Sequence, residues 1–210
     1  MIKIKMFQLG PLETNCYVLY TNKEAVVVDP GGDPEEVLAF LKDNGLTLTH
    51  ILNTHLHFDH IQGNARLARE TGAPILASDK DSHLLDTDIG GGGFMGFPAT
   101  ESFSFESVSE GELSLLGEVC QVLETPGHSP GCVAYYFPAI KAVFSGDLLF
   151  YRSVGRTDFS GGSEELLKRS VVAKIFSLHD QTRIYPGHGP ETMVGDEKIN
   201  NPFFSEFGRL

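Results

Sequence analysis

Apolar and polar residues alternate with a period of two in three runs at the start of the chain. The runs read IKIKMFQL, NCYVLYT and EAVVVDPGG, and Gly31 and Gly32 supply a turn after the third run. Such alternation is typical of strands that are buried on one face. We therefore predict that the chain opens with an antiparallel meander.

Helical and strand patterns alternate along the rest of the chain. Asp33 has N-cap chemistry, Pro34 suits the first helical position and Gly45 ends that segment, so we predict a helix there. The further predictions are a strand in LTHILNT, a helix in HIQGNARLARETG that ends at Gly72, a strand in PILAS, a short helix over 79–86, strands in VCQVLETPG, CVAYYFP and KAVFSGDLLF, a helix over roughly 163–178 and a last strand in TRIYPGHGP. Two packed β-sheets with helices outside them fit this order.

One segment, DIGGGGFMGFPATESFSF, has many glycines and phenylalanines and no clear period. This composition is typical of a flexible loop with apolar anchors. The glycine run over 90–93 is either a linker or a lid over a cleft.

Length and cysteine content restrict the class of protein. A chain of 210 residues can bury its core without disulfides, and we expect one domain over 1–210. Cys16, Cys120 and Cys132 lie far apart and form no CxxC motif. We expect three buried thiols in a reducing cytosol, and hence a cytoplasmic protein.

Charge and hydropathy argue against several partners. No positively charged start precedes an apolar run, and no apolar run reaches the roughly 18 residues that a membrane span needs, so we expect neither export nor membrane insertion. The formal net charge of −12 argues against nucleic acid as a partner.

Four polar clusters each follow the C-terminal end of a predicted strand. They are residues 55–60 after HILNT, His128 in TPGHSPG, Asp147 in AVFSGD and His188 in YPGHG. Side chains that several strands deliver to the same rim of a core form a site on a rigid scaffold. Imidazole and carboxylate together are typical ligands of zinc and similar divalent ions.

The first cluster has ligands for two ions. His55 and His57 are two residues apart on an extended segment, so their side chains project to the same side and can hold one ion. Asp59 and His60 lie where the next helix begins, and they point to a second position. Packing alone has no use for three imidazoles on one loop.

The clusters together resemble the metallo-β-lactamase superfamily, in its glyoxalase II-like branch. The resemblance rests on His-Leu-His-Phe-Asp-His, Gly127-His128, Ser145-Gly146-Asp147 and Pro186-Gly187-His188, which occur in the order of the family and cover nearly the whole chain. The stretches DPGGD, GRTDF and EKINNPF are similar to this branch as well. The resemblance implies an α+β fold of the metallo-β-lactamase type, an αββα sandwich of two packed mixed β-sheets flanked by helices.

The resemblance also implies a binuclear metal centre and a reaction. In this family pattern one ion is held by His55, His57 and His128, the other by Asp59, His60 and His188, and Asp147 bridges them. We expect two divalent ions, with zinc first and iron or manganese as alternatives. A metal-bridging hydroxide would attack the acyl carbon of a thioester such as S-lactoylglutathione, with Asp59 as the catalytic residue that orients it.

Alternatives to this function stay open. The chain ends at Leu210 without the helical region that helps such enzymes hold glutathione, so a different or broader thioester is possible. A persulfide dioxygenase shares the scaffold and a GRTDF-like stretch, but it uses one iron, held by residues that match His55 or His57, His128 and Asp147. A structural zinc module fits poorly, because seven ligands leave room for solvent. A lactamase is disfavoured by the missing export signal.

Single residues outside the motif have two interpretations each. His50, His83 and His179 are interpreted as ordinary surface or core histidines. Asp29 either caps a turn or orients a ligating histidine through its second nitrogen. For Arg156 we favour binding of a substrate carboxylate over a solvated charge.

Overall fold

The computed structural model describes residues 1–204, so Leu210 lies outside the described residues. The chain divides into two compact units. The first holds Met1–Val108 and Leu115–Gly117, and the second holds Ser109–Ser114 and the chain from Glu118 onward. The expected single domain over 1–210 stays a prediction.

A six-stranded mixed sheet forms the scaffold of the first unit. Its strands are β1 (Lys3–Leu9), β2 (Thr14–Tyr20), β3 (Glu24–Val28), β4 (Thr47–Leu52), β5 (Ile75–Ala77) and β6 (Glu106–Ser107). The first three strands pair antiparallel, which confirms the predicted meander. From β3 to β6 the pairing is parallel, so the carboxyl ends of β3, β4 and β5 lie at one edge.

Helices cover the first sheet and differ in detail from their predictions. Helix α1 (Glu35–Asp43) begins one residue late, because Pro34 occupies the N-cap and Asp33 accepts the N–H of Glu35 at 3.2 Å. The core beneath it joins sheet and helix residues, among them Val18, Val27, Ile51, Val37, Leu41 and Leu67.

The prediction of a single helix in HIQGNARLARETG is wrong in one respect. It is two helices, α2 (Phe58–Ile61) and α3 (Asn64–Thr71), with the predicted end at Gly72. The break has a tertiary cause: the N–H of Gly63 donates to the carbonyl oxygen of Pro30 at 2.7 Å, and a Cβ at Gly63 would lie 2.7 Å from the carbonyl oxygen of Gly32.

The glycine-rich segment of the first unit is anchored by aromatic rings, as predicted. It follows a 3₁₀ helix (Asp79–Asp86) and contains a short helix, α4 (Asp88–Gly91). The rings of Phe94 and Phe97 lie 5.5 and 5.1 Å from the ring of Phe58, centroid to centroid. The segment therefore packs on the helix that carries Asp59 and His60, while the choice between lid and linker stays open.

A second six-stranded mixed sheet belongs mainly to the second unit. Its strands are β7 (Gly111–Leu115), β8 (Glu118–Glu124), β9 (Val133–Phe137), β10 (Ala142–Gly146), β13 (Arg183–Pro186) and β14 (Thr192–Met193). They lie in the order β14-β13-β10-β9-β8-β7 across the sheet. Apart from this sheet, β11 (Leu149–Phe150) pairs with β12 (Ser153–Val154). The pair β10 and β13 is parallel, whereas β8, β9 and β10 pair antiparallel.

Helices follow the strands in the described part of the second unit. Helix α5 (Glu164–Ser170) begins as predicted, because Ser163 accepts the N–H of Leu166 at 3.3 Å, and it continues as a π-helix (Val171–Ile175). Helix α6 (Val194–Asn200) was not predicted. Two mixed sheets with helices confirm the predicted α+β class.

Thiols and helix lengths bear on two further predictions. Cys16, Cys120 and Cys132 are buried thiols in no disulfide, as predicted, and burial raises the pKa of Cys16 and of Cys120. Within residues 1–204, no helix has the length and apolar character to cross a membrane.

Candidate metal centre

The predicted histidine cluster lies where β4 ends and α2 begins. His57 has an extended backbone at the N-cap of α2, and this helix carries Asp59 and His60. The ring of His55 lies 4.4 Å from that of His57 and 4.1 Å from that of His60, centroid to centroid, and all four side chains are buried. The first unit therefore brings together the four residues of the motif.

Asp29, at the end of β3, holds this cluster in place. Its φ of +50° is left-handed, a conformation that aspartate tolerates better than most residues. One carboxylate oxygen accepts the N–H of Thr54 at 2.8 Å, and the other lies 2.9 Å from Nδ1 of His60. Asp29, His55 and His60 each place a potential ligand atom within 4.8 Å of the others, but the oxygens of Asp29 already accept these hydrogen bonds. The geometry therefore supports an orienting role for Asp29.

Asp81, which the sequence did not single out, and Gly31, which it indicated only as a turn residue, support the same loop. Asp81, in the 3₁₀ helix, is fully buried and accepts the N–H of Leu56 at 3.3 Å. Gly31 lies so close to α2 that a Cβ at this position would be 1.7 Å from the carbonyl oxygen of Asp59. Both roles depend on distances between remote parts of the chain, and no local pattern signals them.

In the second unit, three predicted ligands follow the ends of strands. His128 comes after β8, Asp147 directly after β10 and His188 after β13. Oδ2 of Asp147 lies 3.6 Å from Nε2 of His128 and 3.6 Å from Nε2 of His188. One carboxylate oxygen is thus equally spaced from two imidazole nitrogens.

Hydrogen bonds identify which nitrogen of His60 and of His128 would bind a metal. Nδ1 of His60 faces the Asp29 carboxylate, and Nδ1 of His128 lies 2.7 Å from the backbone oxygen of Arg156. Carboxylates and carbonyls accept hydrogen bonds and do not donate them, so both Nδ1 atoms carry a proton. Nε2 then carries the lone pair in both rings.

The donor set fits divalent metal ions. Two atoms bound at about 2.1 Å to one tetrahedral ion lie about 3.4 Å from each other. The distances of 3.6 Å at Asp147, and of 3.7 Å between Nε2 of His60 and Oδ2 of Asp59, are close to this spacing. They exceed a hydrogen bond, so a shared ion explains them better than direct contact does. The roles of the individual ligands stay predictions.

The backbone of Arg156 contacts His128, but the side chain of Arg156 has a partner of its own. Nε and Nη2 each donate to the Asp158 carboxylate at 2.6 Å, and the guanidinium lies 4.0 Å from the centroid of the Phe159 ring. The hydrogen bonds to Arg156 lower the pKa of Asp158 to about 2. Binding of substrate by Arg156 stays a prediction, and a substrate carboxylate would have to displace Asp158.

The three remaining histidines lie elsewhere in their units. His83 and His179 are exposed, and Nδ1 of His179 accepts the N–H of Gln181 at 3.1 Å within a turn. His50 is half-buried on β4, and burial lowers its pKa.

Comparison with known proteins identifies the family. The profile of the Metallo-beta-lactamase superfamily matches residues 9–195. The chain is 36% identical over 209 residues to the "Probable metallo-hydrolase YqgX" of Bacillus subtilis, covering 98% of this chain and 99% of that protein. It is 33% identical over 209 residues to the "Hydroxyacylglutathione hydrolase GloC" of Haemophilus influenzae, covering 97% of this chain and 99% of that protein.

Solved structures agree with this result. The BLEG-1 B3 metallo-beta-lactamase has a TM-score of 0.91 and 40% identity, covering 97% of this chain and all 100% of that chain. TTHA1623 in a di-iron-bound form has a TM-score of 0.86 and 40% identity over 95% and 99% of the two chains. ETHE1 from Myxococcus xanthus has a TM-score of 0.76 and 29% identity over 98% and 89%. With the predicted fold confirmed, this chain belongs to the metallo-beta-lactamase superfamily and is a metal-dependent hydrolase.

Proposed function

We propose that this chain is a thioesterase of the glyoxalase II-like branch, with two divalent metal ions per chain. The seven residues His55, His57, Asp59, His60, His128, Asp147 and His188 hold the ions in this proposal. The substrate is S-lactoylglutathione or a related small acyl thioester. The protein acts in the cytoplasm, without a nucleic-acid or membrane partner.

The observation that carries this proposal is the support given to His60, a ligand that only a second ion needs. His60 is fully buried, and Asp29 holds its Nδ1 at 2.9 Å. Asp59 has its own support, since Thr14 Oγ1 donates to Oδ2 of Asp59 at 3.3 Å. Burying the His60 imidazole, with its tautomer fixed, beside the Asp59 carboxylate costs free energy unless both groups bind an ion.

The chemistry of thioester hydrolysis matches these residues. When bound, two ions would lower the pKa of a shared water and polarise the carbonyl of the substrate. Asp59, as ligand and hydrogen-bond acceptor, would orient the attacking water. No cysteine is needed as a nucleophile, and burial raises the pKa of Cys16 and of Cys120, which makes both thiols unreactive. We expect zinc, and the di-iron form of TTHA1623 keeps iron as an alternative.

Similarity to a named hydrolase supports the thioester class. GloC, at 33% identity over nearly the full length of both chains, is named a hydroxyacylglutathione hydrolase. Glutathione carries two carboxylates, and Arg156 offers a guanidinium to such a group.

Persulfide oxygenation with a single iron is the second candidate. The GRTDF stretch, with Arg156 and Asp158, favours it, and the similarity to ETHE1 lends it weight. Against it stand Asp59, His60 and His188, which such a mononuclear centre does not use.

The test follows the chemistry that each candidate performs. Purified protein would be given S-lactoylglutathione and a panel of other acyl thioesters, with thiol release measured without oxygen. Glutathione persulfide with oxygen uptake, and a β-lactam because of the similarity to BLEG-1, complete the panel. We expect thiol release that disappears in Asp59→Ala and persists in Asp43→Ala, a change of an exposed aspartate at the end of α1. Oxygen uptake or β-lactam hydrolysis without thiol release from any thioester would overturn the proposal.

A further inference from the structure

We propose that Thr54 is a positioning residue whose hydroxyl connects the Asp29 carboxylate to His55. One buried carboxylate then orients a ligand of each of the two ions, His60 directly and His55 through Thr54. This inference rests on the proposed binuclear function.

The contacts around Thr54 form a continuous chain of hydrogen bonds. Thr54 Oγ1 donates to Oδ2 of Asp29 at 2.6 Å, and the same Oγ1 lies 3.0 Å from Nδ1 of His55. Thr54 is 1% exposed, so bulk water does not substitute for these bonds. The short bond to a carboxylate is of the charge-assisted kind, which is stronger than a bond between neutral groups.

The direction of each bond follows from the number of protons. A threonine hydroxyl has one proton, and Thr54 gives it to the Asp29 carboxylate. Towards His55 the hydroxyl oxygen can only accept, so Nδ1 of His55 carries the proton and Nε2 carries the lone pair. The same carboxylate oxygen fixes the tautomer of His60. Both rings thus present Nε2 as the metal-binding atom.

This arrangement predicts a difference between two kinds of substitution. Loss of the Thr54 hydroxyl removes the bond that orients His55 and leaves the direct bond between Asp29 and His60. Loss of the Asp29 charge weakens both. In a metal-binding histidine, hydrogen bonds between neighbouring residues and the ring nitrogen that does not bind the metal typically contribute about 10- to 100-fold in metal affinity.

The experiment measures stepwise zinc affinity of the metal-free protein by competition with a chromophoric chelator. Thr54→Val keeps the shape and removes the hydroxyl, Thr54→Ser keeps the hydroxyl, and Asp29→Asn removes the charge. Thr49→Val is the matched control, because Thr49 Oγ1 on β4 donates to the carbonyl oxygen of Ala25 at 3.1 Å, away from the cluster. The visible spectrum of the cobalt(II) form reports on ligand geometry independently of activity.

We expect Thr54→Val to lower the affinity for one of the two zinc ions by about 10- to 100-fold and to alter the spectrum of the cobalt(II) form. Thr54→Ser and Thr49→Val should leave both zinc affinities unchanged, and Asp29→Asn should lower both. Unchanged zinc affinities in Thr54→Val, or a Thr54→Ser variant as weak as Thr54→Val, would overturn the inference. Thr54→Ala replaces Thr54→Val if the latter does not fold.

Failure of the proposed function gives a different result. If the unmutated protein binds one ion, the binuclear proposal fails, and the effect of Thr54→Val on that ion alone decides the role of Thr54. Absence of any zinc binding would overturn both.

Discussion

Asp147 is the residue on which the proposed pair of ions depends most, because one of its oxygens is 3.6 Å from both His128 and His188. We predict that Asp147→Asn lowers the affinity for both ions, whereas His188→Ala lowers the metal content toward one ion per chain. Elemental analysis after reconstitution with excess zinc measures this, with the exposed Asp79→Asn as control. Retention of one ion at full affinity in Asp147→Asn would contradict a bridging role.

Substitutions of Arg156 and of Asp158 should have opposite effects on substrate binding. Arg156→Lys keeps the charge but loses the planar fork, so KM for an anionic thioester should rise with little change in kcat. Asp158→Asn should lower this KM, because the ionised carboxylate, whose pKa is about 2, competes with the substrate for the guanidinium at neutral pH. Steady-state kinetics with anionic and neutral thioesters measure both effects. If KM changes in neither variant, Arg156 is a solvated charge.

The sequence indicates the candidate ligand residues but not the residues that support them. The histidines and aspartates carry their chemistry in their residue type and occur in a familiar order. Thr54 donates a hydrogen bond to Asp29, 25 positions away, and Asp81 accepts one from Leu56 at the same separation in sequence. Ordinary residue types in these positions gain a role only through the fold, and no local pattern reveals it.

At the scale of elements, the turn after β3 limits where α2 can lie. A Cβ at Gly31 would lie 1.7 Å from the carbonyl oxygen of Asp59, so backbone must move in Gly31→Ala. We predict a loss of about 1–3 kcal/mol in the free energy of unfolding, and weaker binding of the ion that Asp59 holds in the proposed centre. Urea denaturation and zinc titration measure these. Gly111→Ala is the control, since the nearest atom to its Cβ is 3.9 Å away, and equal behaviour of the two variants would count against this constraint.

Helix α6 joins the β11–β12 hairpin through one buried carboxylate. Glu197 is fully buried and accepts hydrogen bonds from Arg152, Thr192 and Asn201. We predict that Glu197→Ala destabilises the protein by about 2–3 kcal/mol, because buried donors lose a charged acceptor. Chemical denaturation measures the change, and the exposed Glu165→Ala on α5 should have little effect. Similar stabilities of the two variants would show that the network contributes little.

Element prediction succeeded where a period is long enough to detect. Strands β1 to β4 and helices α1 and α5 have clear patterns, whereas β6 and β14 have two residues each and show none. The break between α2 and α3 was missed because contacts of Gly63 with Pro30 and Gly32 cause it. Local propensity does not include such contacts.

At the scale of the whole molecule, the order of the motifs predicted the family and the class of fold. The alternation of strands and helices alone left several two-sheet arrangements open. The order from the histidine cluster through His128 and Asp147 to His188 reduced them to one family, which the profile over residues 9–195 confirms. Substrate specificity depends on further side chains, and these form no recognisable motif in the sequence.

A metal titration shows most directly whether a pair of ions bound by this chain hydrolyses a thioester. Metal-free protein receives increasing zinc without oxygen, and thiol release from S-lactoylglutathione is followed at each step, with manganese and ferrous iron in parallel. If two ions act together, the rate rises until two equivalents per chain are bound and is constant afterwards. A plateau at one equivalent, or no thiol release with any of the three metals, would contradict the proposed function.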